Sequence, residues 1–351
     1  MNAPTLMEIR IEVNMILAGD IGGTKSLIGM FAPDERRPTP TVIRSFVTSE
    51  FANLSDLIAA FTRGGAAGAL GASRACFGIA GPVLGERARL TNSPFDIDAS
   101  AIRRDFGIGH VRLVNDLQAM AYAVPVLEAS ELHVLHAGVA DPAGNVALIA
   151  AGTGLGEALL HNVDGRLVPS PTEAGHADWA PRSERDLTIL RALIQRFGRA
   201  EVESVVSGPG LINLCRVTHT SQCLAVADFN AAGAPAEVTR AAIEKRCAAC
   251  AEAFEVFVTA YGAEAGNLAL RTLATGGVFL GGGIAPKIVP ALSDGRFLHA
   301  FTDKGTFREV VERIPVSVIL NADVGLVGAA IAAGRPNPTA PVVEASTDRP
   351  R

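Results

Sequence analysis

The chain has no apolar run long enough to span a bilayer, which excludes a membrane-spanning helix. It has no excess of basic residues: 31 Lys and Arg stand against 36 Asp and Glu, a formal net charge of -5. That balance gives no electrostatic reason to expect nucleic acid or an anionic membrane as partner. The segment from Met1 to Val13 carries acidic residues and lacks the apolar core of a secretion signal, so a cytoplasmic protein is expected. Cysteine is sparse and odd in number, five in all: Cys76, Cys215, Cys223, Cys247 and Cys250. Cys247 and Cys250 have C-x-x-C spacing, but no second C-x-x-C accompanies them and they fall in an alanine-rich helical stretch. The expectation is buried thiols rather than zinc or redox chemistry.

What is present is concentrated first in Met15 to Met30, an apolar strand, a Gly22-Gly23 turn and a second strand. Adjacent glycines let the backbone turn sharply and leave N–H groups bare, and such groups bind anions. Asp20 beside them would repel a phosphate unless a cation lay between. The residues therefore suit either a Mg²⁺-nucleotide loop or a plain β-hairpin. The pattern recurs. Val146–Ala151 is a buried strand followed by Gly152-Thr153-Gly154, and Gly277–Leu280 is followed by Gly281-Gly282-Gly283. Neither of the first two turns leads into a helix, so they are neither a dinucleotide fingerprint nor a Walker A loop.

A chain of 351 residues with 48% hydrophobic content predicts two domains with ample core. The first half reads as three strands (the third Thr41–Val47), a helix over Leu54–Phe61, strands at Ala75–Ala80 and Ala88–Asn92, a helix capped by Asp98, a strand Val111–Val114 and a helix Leu117–Ala123. The second half repeats three strands around a glycine turn, then becomes helical. Ser183 to Asp186 is a capping box for a helix to Phe197, and helices are predicted over Gly210–Thr218 and Ala236–Tyr261. A strand over Ile314–Leu320 and a small-residue helix over Gly325–Ala333 close the fold. Two related α/β domains with a ligand cleft between them follow from the repeat.

Three polar groups carry candidate chemistry. Asn115-Asp116 ends a buried strand, where open α/β sheets bind ligands; Asp116 suits either a proton acceptor or a helix cap. In Glu173-Ala174-Gly175-His176-Ala177-Asp178, Glu173 and His176 suit adjacent sugar hydroxyls, a metal with Asp178 as third ligand, or a turn capped by its own side chains. Asn92, and Glu203 before Ser207-Gly208-Pro209-Gly210, are not specific alone.

Together these motifs resemble bacterial glucokinases of the type distinct from the ROK family, within the actin–hexokinase–heat-shock ATPase superfamily. The resemblance runs from about Met15 to Gly334. It is carried by Gly19–Thr24, Thr91-Asn92, Val114–Asp116, Ala151–Gly156, Glu173–Asp178, Ser207–Leu211, Gly281–Ile284 and Asp303–Gly305, in that order. It implies two actin-like (ribonuclease H-like) α/β domains with mixed sheets, residues 14–126 with 320–336 and residues 127–319, with tails at 1–13 and 337–351. It implies ATP-dependent phosphorylation of D-glucose to glucose 6-phosphate, with Mg²⁺, in a cytoplasmic homodimer. Asp116 would be the base. Asn92, Asn115, Glu173, His176 and Glu203 would hold the sugar. Gly22, Gly23, Thr24, Gly152, Thr153 and Gly154 would cradle ATP phosphates, Gly281, Gly282 and Gly283 would line the adenosine pocket, and Asp20 would position Mg²⁺ through water. Lys25 stands where the family often has Asn, and Ala174 where it often has Gly. No cysteine lies between Trp179 and Gly210, where ROK kinases carry a zinc motif, and the residues before Met15 are too few for a repressor's DNA-binding helices. A kinase of mannose, fructose or an N-acetylated amino sugar, a non-catalytic sugar sensor and an assembling ATPase are the rival readings.

Overall fold

The apolar opening stretch forms β1 (Met15–Ile21), and the glycine turn returns the chain antiparallel as β2 (Lys25–Ala32). The computed structural model describes residues 14–63, 71–90 and 95–335. Asn92 and both expected tails lie outside the described residues. β3 (Thr39–Val47) pairs antiparallel with β2. α1 (Leu54–Arg63) buries Leu54, Leu57, Ile58 and Phe61, the i, i+3, i+4, i+7 stripe of a helix packed on one face. β4 (Ala72–Ile79) then lies parallel to β1. Three short strands, β5 (Val83–Leu84), β6 (Arg87–Arg89) and β7 (Asp96–Asp98), form a separate small sheet. Asp98 caps α2 (Ala99–Phe106) by accepting from the N–H groups of Ser100 and Ala101, and Gly107 at φ 65° ends the helix. β8 (His110–Asn115) pairs parallel with β4, giving the order β3-β2-β1-β4-β8.

α3 (Asp116–Ala123) leads to β9 (Leu132–His136). β10 (Val146–Ala151) is buried at every position, as a strand covered on both faces must be. β11 (Leu155–Val163) and β12 (Arg166–Pro171) follow antiparallel. Next come α4 (Glu184–Phe197), α5 (Gly208–Thr218), α6 (Ala234–Ile243) and α7 (Ala248–Thr272). β13 (Gly277–Gly281), α8 (Val289–Leu292), α9 (Arg296–Thr302), α10 (Arg308–Val311), β14 (Val316–Ile319) and α11 (Val324–Gly334) complete the chain. The second sheet runs β12-β11-β10-β13-β14-β9. Its first five strands repeat the order and directions of the first sheet, with two successive antiparallel pairings on one side of the central strand and two parallel pairings on the other.

The chain divides into one unit of Met1–Asp116 with Ala329–Arg351 and a second of Leu117–Gly328. The first unit's core gathers Leu17, Ile28, Phe61, Phe77 and Ile102. The second centres on α7, whose Tyr261 and Phe257 lie among Phe297 and Phe301 of α9. α9 approaches so closely that a Cβ on Gly262 or Gly266 would lie 2.2 or 2.3 Å from the carbonyl oxygens of Phe297 and Phe301. The single helix expected over 236–261 is two helices. Lys245 takes a left-handed φ of 56°, and Cys247 caps a fresh start. No glycine or proline marks that break, so local propensity could not reveal it. No helix among the described residues is long and apolar enough to cross a membrane.

Candidate active site

In the first unit, β1, β4 and β8 run parallel with Ile21 opposite Ile79 and Ile79 opposite Asn115. Asp20, Asn115 and Asp116 therefore share the carboxyl edge of one sheet. The two outer strands are separated by two strand spacings, about 10 Å. All three side chains are half-buried. The adjoining turn is held from within. Gly22 N–H donates to Lys25 O at 3.2 Å, and a Cβ on Gly22 would lie 2.8 Å from that oxygen. The Thr48 hydroxyl donates to Gly22 O at 2.7 Å and is 2.8 Å from the Ser26 hydroxyl. Gly23 has open space where its Cβ would stand, and Thr24 is exposed. The backbone there is free to meet an anion. Sequence reasoning missed Ser26 and Thr48; their only signal is a pair of hydroxyls distant in the chain.

In the second unit, three loops are stitched together around the β10–β11 turn. Gly152 N–H donates to Gly154 O at 2.8 Å, and Gly208 N–H donates to Gly152 O at 2.8 Å. The Glu203 carboxylate accepts from Leu155 N–H at 2.8 Å, and the same oxygen would lie 2.6 Å from a Cβ on Gly154. Glu203 N–H in turn donates to Gly175 O at 2.9 Å. A Cβ on Gly175 would lie 2.1 Å from Leu155 O, so the loop carrying Glu173 and His176 can lie against β11 only with glycine there. Ser207 caps α5 through Gly210 N–H at 2.9 Å while its own hydroxyl donates to Glu203 O at 2.7 Å. Glu203, Gly152–Gly154 and Glu173–His176 thus form one assembly. Gly152 has open space where its Cβ would stand and Thr153 is exposed, so a phosphate can approach the turn closely.

The third glycine cluster divides by role. A Cβ on Gly281 would lie 2.5 Å from Met120 Sδ, and one on Gly282, at φ 81°, would lie 2.4 Å from Ala151 O. Both are needed for packing. Gly283 is exposed to open space.

Charge gathers around His176. Its Nδ1 lies 2.8 Å from Glu201 Oε2. That hydrogen bond, with the charges of Glu203, Glu201 and Glu173 acting against partial burial, raises its pKa above the ordinary 6.5. Arg199 donates to His176 O at 2.9 Å and to Asp178 at 2.8 Å, and lies 3.5 Å from Glu201. Asp178 is thus engaged by arginine, and the alternative of a metal held by Glu173, His176 and Asp178 is not formed. Arg199 and Glu201 were missed in sequence because they precede Glu203 in a stretch with no motif of its own. Trp179, the chain's single tryptophan, closes the segment; its side chain is buried and its backbone N–H donates to Ala200 O at 3.0 Å.

The cysteine expectation changes. Cys76, Cys215, Cys223 and Cys250 are buried thiols. Among the described residues, however, Cys223, Cys247 and Cys250 also meet His219 in the one grouping with metal-ligand geometry. The available signal was His219-x-x-x-Cys223 upstream of Cys247-x-x-Cys250, a pairing that a search for a second C-x-x-C overlooks.

A glucokinase family model matches residues 17–336 of the chain. A glucokinase of Nostoc punctiforme is 36% identical over 342 residues, covering 92% of this chain and all of that protein. A glucokinase of Synechocystis is 37% identical, covering 91% of this chain and 98% of its own length. Among solved structures, a glucokinase from an Antarctic psychrotroph superposes with a TM-score of 0.81 at 28% identity, covering 92% of this chain and 99% of that one.

Proposed function

The chain belongs to the glucokinase family, and from that premise we propose that Asp116 takes the proton of the glucose 6-hydroxyl as the γ-phosphoryl group of ATP is transferred to it. The reaction converts D-glucose and ATP to glucose 6-phosphate and ADP. The observation that carries the role of Asp116 is its place on the carboxyl edge of the sheet that also presents Asp20 and the open Gly23–Thr24 backbone. A base there accepts the proton as the oxygen becomes nucleophilic, and orienting the hydroxyl supplies much of the rate. Asn115 and Asn92 bind sugar hydroxyls from the same unit. Glu173 and His176 hold the hydroxyls near the anomeric carbon, and Glu203 joins them while bracing the phosphate turn through Leu155.

The backbone N–H groups of Gly23, Thr24, Thr153 and Gly154 hold ATP phosphates, on turns that the N–H groups of Gly22 and Gly152 close from within, and Gly283 borders the adenosine. Mg²⁺ fits Asp20, a half-buried carboxylate beside bare backbone donors, and when bound supplies positive charge to the phosphates. The reading includes a cytoplasmic homodimer, on the strength of the family resemblance.

The test is ADP release with Mg-ATP and glucose, mannose, fructose, N-acetylglucosamine or N-acetylmannosamine. Release stimulated most by glucose is expected. Preference for another sugar would move the error into the Glu173–His176 pocket. No sugar-dependent release from protein that binds ATP would overturn the reading.

A further inference from the structure

The α5–α7 corner of the second unit carries a side-chain cluster with no part in sugar or nucleotide binding. His219 ends α5, Cys223 lies in the loop beyond, and Cys247 and Cys250 open α7. The four ligand atoms all lie within 4.8 Å of one another. Cys223 Sγ is 3.8 Å from Cys247 Sγ and 3.8 Å from Cys250 Sγ. His219 Nε2 is 3.4 Å from Cys247 Sγ and 3.7 Å from Cys250 Sγ. A tetrahedral zinc with Zn–S of about 2.3 Å and Zn–N of about 2.0 Å sets S···S edges of about 3.8 Å and S···N edges of about 3.5 Å. These four edges lie within about 0.2 Å of those values, and the remaining two are no longer than 4.8 Å.

The imidazole is also prepared for the task. Its Nδ1 lies 2.8 Å from Cys215 O, and a carbonyl can only accept, so Nδ1 carries the proton and Nε2 turns its lone pair to the thiols. Phe229 packs edge-on against the ring at 5.2 Å and fixes its plane. The Thr218 hydroxyl donates to Ala249 O at 3.0 Å, holding the end of α5 against the first turn of α7 before any metal binds. Cys223 and Cys250 are buried, and His219 and Cys247 are half-buried.

We propose that His219, Cys223, Cys247 and Cys250 form a structural zinc site that clamps the end of α5 to the start of α7. Four protein ligands leave no open position, so the metal is structural rather than catalytic, and one nitrogen with three sulfurs favours zinc over harder cations. The clamp closes the loop that contains α6. It also fixes the end of α5 opposite the Ser207 cap, and so the helix on which the Glu203 turn is seated.

The test uses the full chain, expressed without a polyhistidine tag and kept reduced. Metal analysis should find about one zinc per chain, as for a closed four-ligand site. Replacing zinc with Co²⁺ should give thiolate-to-cobalt charge-transfer bands and the intense visible bands of tetrahedral cobalt. Cys223→Ser and Cys247→Ser should lose both signals, and Cys76→Ala, in the other unit, should keep them. Chelation should lower the melting midpoint of the wild type but not that of Cys247→Ser. If the serine variants fail to fold, the cobalt spectrum of the wild-type chain decides alone. Reduced protein that takes up neither Zn²⁺ nor Co²⁺, metal retained in the serine variants, or a disulfide among the three cysteines as the native state would each overturn the proposal.

Discussion

Asp116 and Asn115 can be proposed as site residues from sequence alone because a polar pair at the end of a buried strand is a local pattern. Replacing Asp116 with Asn should leave the fold intact and lower kcat by roughly 10²–10⁴-fold, as for loss of a general base. An unchanged kcat would remove the base from Asp116. His176 was equally legible, but its partner was not: Glu201 is 25 residues away, and only the folded loops bring its carboxylate to Nδ1. That partner sets the ring's charge. The raised pKa keeps His176 protonated to higher pH than an ordinary histidine, and the ion pair is lost as pH rises through that value. Glu201→Gln should lower the His176 pKa, read from its ring proton resonances. It should also move the alkaline rise in glucose KM to lower pH. A His176 titration unchanged in the variant would show that the hydrogen bond does not hold the charge.

At the scale of elements, what was legible is what the chain encodes locally. The β1–β2 glycine turn, the Asp98 cap and the Ser183 cap all depend on residues within a few positions, although the Asp186 carboxylate accepts from Arg182 N–H and so does not close the expected capping box. What was not legible depends on distant partners. β9 is short and half-buried and joins the sheet only through β14, and of the short helices α9 and α10 pack on α7 while α8 packs on α9. The split between α6 and α7 hinges on one left-handed lysine. Gly175 is a case where an element's position rests on a missing atom. Gly175→Ala places a methyl 2.1 Å from Leu155 O, so the loop must leave β11. Displacing sugar contacts by about an ångström should cost on the order of 10²-fold in kcat/KM for glucose. The ATP affinity measured without sugar should change far less. Undiminished kcat/KM for glucose would show that the loop need not touch β11.

For the whole molecule, two sheets of the same strand order make the internal repeat inferred from the glycine turns a repeat of architecture. The second unit also buries an acid that the reaction does not use. Glu157, in β11, has no exposed surface and neither carboxylate oxygen makes a hydrogen bond to the described residues. Burial, with the nearby Glu264 charge, lifts it from 4.5 to about 8 against the pull of Arg271. Below pH 4.5 the folded and unfolded chains both hold this proton. Between 4.5 and 8 the unfolded chain releases it and the folded chain does not, so stability declines with rising pH until the loss is complete above 8. Glu157→Gln should therefore raise the melting midpoint relative to wild type at pH 8.5 and leave it nearly unchanged at pH 4.5. Equal midpoints at both values would show that the buried carboxyl ionises freely.

Trp179 is the chain's single tryptophan, buried directly after Asp178 and tied to Ala200. Every photon of indole emission from this protein therefore originates beside the Glu173–Asp178 loop. Ligand that reorders the loop should shift or quench that emission, and ligand bound elsewhere should leave it unchanged. With sugar held by that loop as proposed, the native chain would be its own optical sensor for sugar occupancy, readable by titration without a label or turnover.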